Sequence, residues 1–428
     1  MAYYQYYAGL TSQLAFCATP LRLDSYNNCQ FGCTYCFANT RQGHGRKSEL
    51  KVSNPSSLLK RLQRVEKGDV NSALDEFIQH RIPFQLGGMS DPFTLIESKK
   101  KVTLEYLKIL KDYNYPVIIS TKSDLIAEEE YLSILKGSNC YVRFSTTVVE
   151  EQYKSMIDKG CPSIERITIA AKKIIDIGIP VSFRFQPIIP GHEKFADHFI
   201  DLAFKIGVKH ISAEYLKVPL DANAKFGSSL KGILQGDPIS FYRRLGATKV
   251  GREFSLPLEY RQAHLIDMAI QIRSKGMTFG FADNDLMLHS DGHSCCNAAN
   301  IYLSEANFFR ANIVSQAKHL KLGEEIRFED YASNWVPRHA ISTYLNSKAR
   351  IIIGDPTTPD WFEYLKKMWV GELGVYSPSF FDGLEQSSKL DSNDMPIYIR
   401  NESNFEKEHD KKIQDWRKKY LLNQMSKC

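Results

Sequence analysis

The chain has 428 residues, of which 43% are hydrophobic and 24% are charged. This composition is typical of a folded globular protein and excludes a chain that is disordered or fibrous throughout. The net charge of +6, from 55 basic and 49 acidic residues, is a mild excess that does not by itself indicate nucleic-acid binding. The sequence contains no run of 18 apolar residues, and its start, MAYYQYYAGL, lacks the pattern of a secretory signal. We therefore expect a cytoplasmic protein with no membrane contact.

The cysteines favour metal or redox chemistry over a framework of disulfides. There are nine of them, at positions 17, 29, 33, 36, 140, 161, 295, 296 and 428. An odd number in a chain without a secretory signal argues against structural disulfides, and their clustering is typical of ligands.

Short β-branched or aromatic runs alternate with helical patterns between residues 21 and 283. The predicted strands cover residues 21–26, 83–88, 117–122, 141–147, 181–189, 210–217 and 277–283. Predicted helices lie near 96–112 and 124–136, from about 164 to Gly178, before Gly207, and near 257–275, and an irregular insertion covers 219–253. This alternation predicts right-handed βαβ units and a parallel sheet, with function at the carboxyl ends of the strands. The predicted fold class is α/β, a partial (β/α)6-type barrel.

Three regions are predicted along the chain. Residues 1–20 form an N-terminal segment, residues 21–297 the barrel, and residues 298–428 a mainly helical extension that holds all four tryptophans. The charged end of the extension, EKEHDKKIQDWRKKYLL, predicts a solvated amphipathic helix, with a nucleic-acid contact as the alternative.

The strongest motif, CQFGCTYC, lies directly after the first predicted strand and supplies Cys29, Cys33 and Cys36. Three thiolates at this spacing can hold one compact metal centre, and soft sulfur ligands suit zinc or an iron–sulfur cluster. A structural zinc would need a fourth ligand, which His44 could supply, and inert thiols are a further alternative. Three cysteines on a cubane leave one iron without a protein ligand, and chemistry could occur there.

The CxxxCxxC spacing, with an aromatic residue before the last cysteine, resembles the radical S-adenosylmethionine (SAM) superfamily. The resemblance implies that Cys29, Cys33 and Cys36 hold a [4Fe-4S] cluster and that SAM chelates the fourth iron. It also implies that Tyr35 packs near the adenine of SAM.

Further motifs resemble the spore photoproduct lyase-like branch of that superfamily and cover roughly residues 20–290. They are LGGMSDP at 86–92, STKS at 120–123, Glu165-Arg166 and PIIPG at 187–191. Gly87 and Gly88 permit the close backbone approach that a contact to the SAM amino group needs. Polar residues at strand ends could bind the carboxylate and ribose of SAM, with ordinary structural hydrogen bonding as the alternative; they are Ser120, Lys122, Ser145, Arg184 and Gln186.

One position departs from the pattern of that branch. Photoproduct lyases carry a hydrogen-donating cysteine in a Cys-x-Ser-Asp setting, whereas this chain has Gly88-Met89-Ser90-Asp91. The thiol that would quench a substrate radical is absent from this place, so DNA repair by that mechanism is disfavoured.

A second group of reactive residues follows the last predicted strand. Within HSDGHSCC, Cys295 and Cys296 are candidate catalytic hydrogen donors, with a structural role or an auxiliary cluster as alternatives. Glu214, Asp283 and Asp285 lie at strand ends and are candidate substrate ligands, with helix capping as the alternative for the two aspartates. Carboxylates at a barrel mouth suit a substrate with amine, amidine or diol donors and would repel a phosphate backbone.

The sequence therefore predicts a radical SAM lyase acting on a small nucleobase-like molecule. The most specific hypothesis is a queuine lyase in anaerobic 7-deazaguanine salvage, supplied with electrons by a carrier such as flavodoxin or ferredoxin. The alternatives are a lyase that repairs or modifies a base in DNA or RNA, and a zinc-stabilised binding module without catalytic activity.

Overall fold

An open eight-stranded sheet is the centre of the computed structural model, which describes residues 3–11, 13–14, 16–36, 38, 49–293, 295, 299–337, 339, 361–372 and 377–425. The strands in chain order are β1 (Ala8–Leu10), β2 (Leu21–Leu23), β3 (Phe84–Leu86), β4 (Val117–Thr121), β5 (Cys140–Val148), β6 (Val181–Ile188), β7 (His210–Tyr215), β8 (Val218–Pro219), β9 (Thr248–Val250), β10 (Glu253–Ser255), β11 (Thr278–Phe281), β12 (Glu325–Ile326), β13 (Leu384–Leu390) and β14 (Pro396–Arg400). The large sheet has the order β1-β2-β3-β4-β5-β6-β7-β11, and every pair except antiparallel β1–β2 is parallel. The predicted parallel α/β sheet is confirmed, with β1 as an added edge strand.

Helices connect the parallel strands and cover one face of the sheet. In chain order they are α1 (Pro55–Glu66), α2 (Ala73–Gln79), α3 (Glu97–Lys100), α4 (Val102–Asp112), α5 (Glu129–Leu135), α6 (Glu151–Ile157), α7 (Ile164–Asp176), α8 (Phe195–Ile206), α9 (Ala222–Lys225), α10 (Ser228–Ile233), α11 (Pro238–Arg244), α12 (Leu258–Ser274), α13 (Ala299–Tyr302), α14 (Ile313–Ala317), α15 (Phe328–Ser333), α16 (Trp361–Trp369) and α17 (Asn404–Met425). Helix α8 ends at Gly207, whose φ of 93° is the left-handed conformation that glycine adopts without strain. The irregular insertion predicted at 219–253 holds short helices and a small sheet of order β8-β10-β9.

The two faces of the large sheet differ in polarity because alternate side chains of a strand point to opposite faces. On the helix-covered face, apolar side chains such as Phe144 and Phe183 are fully buried in the main core. The opposite face, called the polar face below, carries hydrophilic side chains from several neighbouring strands; they include Gln85, Ser120, Arg143, Ser145, Ser182, Arg184, Gln186, His210, Ser212 and Glu214. Hydrogen bonds between strands, such as Arg143 to Ser120 and Ser182 with His210, show that these side chains share one face.

Residues 302–308, which come after the last strand of the large sheet, close the amino-terminal end of the polar face. Ile118 and Tyr141 lie on this face and pack with Leu303, and the rings of Tyr141 and Tyr302 are 6.1 Å apart. The Asn139 amide donates to the carbonyl of Ser304 at 2.8 Å. Residues 302–308 therefore form a floor beneath the polar face.

The last strand of the sheet, β11, is covered along its outer edge. The backbone N–H of Phe281 donates to the Ser290 hydroxyl at 2.9 Å, and that of Phe279 donates to the Asp291 carboxylate at 2.7 Å. The N–H of Asp291 in turn donates to the Phe279 carbonyl. The loop after β11 thus satisfies backbone groups that an edge strand would otherwise leave open to pairing with another chain.

The C-terminal region, predicted to be mainly helical, has helices and also an antiparallel sheet of order β12-β14-β13. A second hydrophobic core surrounds fully buried Trp369, whose indole N–H donates to the Pro396 carbonyl at 2.8 Å. The helix predicted at the charged end is confirmed as α17. Among the described helices, none combines the length and apolar character that crossing a membrane requires.

Gly280 on β11 gives a direct test of this packing. A β-carbon there would lie 2.2 Å from the Cys295 carbonyl oxygen and 3.0 Å from His210 Nε2. Because the first obstacle is backbone, we expect Gly280→Ala to lower the free energy of unfolding by about 1–3 kcal/mol in chemical denaturation. The control is Gly232→Ala in α10, where no atom lies within 4 Å of the added carbon. It should be neutral or slightly stabilising, and equal losses in both variants would contradict the packing described.

Candidate active site

The three motif cysteines lie on a loop that begins six residues after β2, at the carboxyl edge of the sheet. All three are half-buried. The loop is held from both sides: the Thr34 N–H donates to the Ile157 carbonyl at 2.9 Å, and the Gln30 side chain accepts the Ile96 N–H at 2.9 Å. The last residue of α6 and the residue before α3 thus position a loop that has no regular structure of its own.

The three motif sulfurs do not lie close enough together to bind one ion jointly. Among the described residues, the groups whose ligand atoms all lie within 4.8 Å of one another do not include the set Cys29, Cys33 and Cys36. A cubane separates its thiolate ligands more widely than one ion does, because each thiolate binds a different iron. His44, the candidate fourth zinc ligand, lies outside the described residues.

A fourth cysteine, Cys161, lies beside the motif. Its sulfur is 3.8 Å from that of Cys33, and the Asp158 carboxylate completes a group within 4.8 Å. Two thiolates bound to one tetrahedral zinc ion would be about 3.8 Å apart. A single ion would therefore use Cys33, Cys161 and Asp158, a different ligand set from the sequence motif.

Asp158 is also the centre of a buried polar network beside the cysteines. It accepts hydrogen bonds from the hydroxyls of Tyr35 and, at 2.8 Å, Thr147, and it pairs with the Lys122 ammonium at 3.4 Å. Burial alone would raise the pKa of Asp158, but the Lys122 charge and the two hydroxyls lower it below its usual value. Asp158 therefore stays ionised and fixes both Tyr35 and Lys122, two residues predicted to contact SAM.

The loop after β3 is anchored by two aspartates. Asp24 accepts the backbone N–H groups of Met89 and Ser90 at 2.8 and 3.0 Å. Asp91 accepts the N–H of Lys122 at 2.6 Å and the hydroxyl of Thr121 at 2.8 Å, so this loop is tied to the end of β4.

The two glycines of that loop are required by packing within the protein. A β-carbon on Gly87, where φ is 85°, would lie 2.4 Å from the Ser120 carbonyl oxygen, and one on Gly88 would lie 2.9 Å from the Arg22 side chain. Packing within the protein therefore explains why both positions are glycine. The predicted contact between this loop and the amino group of SAM stays a prediction.

The remaining predicted cofactor ligands lie on the polar face. The Ser120 hydroxyl accepts a hydrogen bond from Arg143 at 2.7 Å, and half-buried Ser145 is in register with Arg184 on β6. Gln186, two residues further along β6, donates to the Glu214 carboxylate. Ser145, Arg184 and Gln186 thus lie near one another, toward the carboxyl ends of β5 and β6.

The three predicted carboxylates lie at the carboxyl edge of the polar face, called the mouth below, and each is paired with a cation. Glu214 pairs with the Lys217 ammonium at 2.5 Å and with Arg184 at 3.6 Å. Asp285 receives both guanidinium nitrogens of buried Arg261, at 2.8 and 2.5 Å, and Asp283 lies 3.4 Å from the same guanidinium. The sequence argument expected an acidic mouth, but these three carboxylates are accompanied by three cations, so the mouth is mixed in charge.

The two aspartates differ in their protonation behaviour. Burial raises the pKa of Asp283 to about 6, although the Arg261 and Lys217 charges oppose this, and the nearby Glu214 and Asp285 charges add to it. Burial also acts on Asp285, but its hydrogen bonds from Arg261 lower the pKa of that carboxyl. Asp283 is therefore the carboxylate that could change charge near neutral pH.

Cys295 lies beside β11, between the polar face and the second hydrophobic core. Its carbonyl oxygen occupies the space beside Gly280, and its side chain packs against the second hydrophobic core. It belongs to no group of close metal-ligating atoms among the described residues. Cys296 lies outside those residues, so the hydrogen-donor hypothesis for the pair stays a prediction.

The model of the radical SAM superfamily matches residues 23–205. The chain carries a radical SAM domain. It is therefore an enzyme whose cofactors are a [4Fe-4S] cluster and SAM, and the cysteine motif lies within the matched residues.

Several solved structures of radical SAM proteins are similar to the chain. Spore photoproduct lyase complexed with dinucleoside spore photoproduct is 16% identical, with a TM-score of 0.46 over 64% of this chain and 81% of that one. A variant with bound AdoMet and the same dinucleoside is 15% identical, with a TM-score of 0.48 over 63% and 80%. SuiB of Streptococcus suis, bound to S-adenosylmethionine, is 14% identical, with a TM-score of 0.36 over 63% and 60%. No curated protein sequence matches the chain.

Some residues of the radical SAM site were missed by sequence reasoning. Asp158, Thr147 and Cys161 surround Tyr35 and Cys33, yet they lie more than 100 positions away along the chain. No local motif marks them. Arg261, which engages both mouth aspartates, lies in a stretch for which the sequence predicted only a helix.

The ligand set of the cluster can be tested by iron content. Replacing Cys29, Cys33 and Cys36 together by Ala should remove the visible absorption, and about four irons per chain should fall to none. Cys161→Ala is the matched control, because it removes a neighbouring thiol that the motif does not include; it should keep about four irons. Loss of iron in the control would make Cys161 a ligand, and about eight irons in the parent would indicate a second cluster.

The Lys122–Asp158 pair should be strongly coupled. Because the Asp158 carboxylate is buried and Lys122 is half-buried beside it, Lys122→Met leaves that carboxylate uncompensated and should cost about 3–5 kcal/mol in chemical denaturation. The double variant Lys122→Met/Asp158→Asn removes both charges and should recover a large part of that loss. Additive effects in this double-mutant cycle would show that the pair is not coupled.

Proposed function

We propose that this radical SAM enzyme is a lyase acting on a small, polar, nucleobase-like molecule bound at the mouth of the polar face. The observation that carries the proposal is the group formed by Arg184, Gln186, Glu214 and Lys217. These residues offer hydrogen-bond donors and a carboxylate acceptor side by side, at the same edge of the sheet as the cysteine loop.

When bound by this protein, the [4Fe-4S] cluster and SAM would supply the reactive chemistry, a one-electron reductive cleavage of SAM followed by removal of a hydrogen atom from the substrate. The protein's own residues bind, orient and shield the reactants. Tyr35 and Lys122, which Asp158 fixes beside the cysteines, would contact SAM. The floor at 302–308 covers the amino-terminal end of the polar face, and the paired charges at the mouth hold its side chains in place.

A 7-deazaguanine base fits the mixed character of the mouth. Its guanine-like edge has N–H donors next to a carbonyl acceptor. Glu214 could accept from the N–H groups, and Gln186 or Arg184 could donate to the carbonyl. Buried Asp283 is a second acceptor, whereas Asp285 would act by holding Arg261. On this basis queuine is our most specific substrate proposal, and queuine cleavage the proposed reaction.

Calorimetry of queuine on SAM-loaded protein tests the substrate. Glu214→Gln keeps the shape but presents an amide donor to the base, and it should weaken binding by about 2–3 kcal/mol. The affinity of the parent should fall below pH 6, where Asp283 gains a proton, and Asp283→Asn should remove that pH dependence. Glu325→Gln, a carboxylate on the separate C-terminal sheet, is the control and should bind queuine like the parent.

Three outcomes of this experiment separate the hypotheses. If the parent binds neither queuine nor a related 7-deazaguanine, the substrate assignment is wrong. If it binds but Glu214→Gln and Asp283→Asn bind equally well, the substrate stands and its proposed ligands do not. Turnover of the dinucleotide spore photoproduct, which Gly88 in place of a cysteine disfavours, would instead support a repair enzyme of the photoproduct lyase type.

A further inference from the structure

We propose that the surface around the cysteine loop is the docking site of an acidic electron-carrier protein. We call it the cluster-side surface, and it consists of Gln30, Leu95, Lys99, Met156 and Lys159. The inference rests on the radical SAM domain, which needs an external electron, and is independent of the proposed substrate.

The cluster-side surface is continuous across the cysteine loop. On one side, Gln30 accepts the backbone N–H of Ile96, which places Leu95 and the start of α3 against the loop. On the other side, a β-carbon on Gly32 would lie 3.8 Å from the β-carbon of Lys159. A β-carbon on Gly160 would lie 3.7 Å from the backbone of Phe31. Gln30 and Gly32 are exposed and flank the half-buried cysteines. A protein bound here would therefore lie directly over the cluster ligands.

Large apolar side chains are exposed on both sides of the loop. Leu95 is 76% exposed and Met156 is 45% exposed. A single exposed apolar side chain is ordinary on a protein surface, but two that flank a redox centre supply the contact area that a transient partner uses. Neither contributes to the main core, so folding does not account for their identity.

The charge of the cluster-side surface is positive. Lys99, Lys100 and Lys159 are exposed, and none of them has an ion pair among the described residues. Glu97, the acidic residue of the same stretch, is fully buried and accepts hydrogen bonds from Tyr26 and Tyr131, so it does not offset them at the surface. Glu151 is an exposed carboxylate of α6, at the opposite end of that helix from Ile157.

The lysines and the exposed apolar side chains of the cluster-side surface fit a carrier protein whose redox group is surrounded by carboxylates. Complementary charge raises the rate of association and fixes orientation, and its effect declines as salt is added. A flavodoxin is a carrier of this kind and serves as the probe.

The test measures cluster reduction by stopped-flow absorbance, with reduced flavodoxin as donor and with no substrate present. In the double variant Lys99→Glu/Lys159→Glu, we expect the second-order rate to fall at least tenfold at low ionic strength. Its dependence on salt should weaken or reverse. The matched control is Lys67→Glu/Lys249→Glu, which makes the same change in net charge at two exposed lysines outside this surface and should keep the parent rate.

Leu95→Ser tests the apolar part of the cluster-side surface. It should lower the flavodoxin-dependent rate at high salt as well, because the apolar contact is not screened. Reduction by dithionite, a small chemical donor, should be the same in all variants, which separates docking from damage to the cluster.

The proposal is overturned if flavodoxin does not reduce the parent, if the control pair loses as much rate as the test pair, or if dithionite reduction falls in parallel. Because no substrate is used, these results are independent of whether queuine is the right substrate.

Discussion

The alternation of side chains along parallel strands is the constraint on which this structure depends. The strands of the large sheet run in the same direction and in chain order, so their carboxyl ends, and the loops that follow them, meet at one edge. Because successive side chains point to opposite faces, one face is free to be apolar and covered by helices while the other carries arginine, glutamine, serine and glutamate. The cysteine loop, which follows the first of the parallel strands, thereby lies beside Thr147 of β5 and beside Lys122, the residue after β4.

Compensation of buried charge is the second theme of the site. An unpaired charge in the interior is costly, so a cluster of carboxylates without cations would be unstable. Here Asp158 has Lys122, Glu214 has Lys217, and Asp285 has Arg261. Side chains that are fixed in this way need little rearrangement when a ligand arrives, which favours precise orientation of a reactive intermediate.

Much of the fold was predictable from the sequence because it depends on local patterns. The strand and helix runs of the parallel sheet, the helix that stops at Gly207 and the cysteine motif are each encoded within a few residues. What could not be predicted depends on residues distant in sequence. Cys161 meets Cys33 only because α6 returns the chain to the cysteine loop, and Arg261 meets Asp285 only through packing of α12. Counting carboxylates at strand ends without these cations led to the expectation of an acidic mouth. The C-terminal sheet was missed because β12 has only two residues and pairs with a strand more than 70 positions away.

The floor formed by residues 302–308 has a consequence for molecular traffic. With the amino-terminal end of the polar face occupied by Tyr302 and Leu303, the carboxyl edge is the approach that the described residues leave to a ligand. SAM, next to the cysteine loop, and a substrate held near Glu214 would both have to arrive and depart across that same edge. Two reactants that share one approach compete for it. The release of a product then affects how soon the next molecule of SAM or substrate can enter.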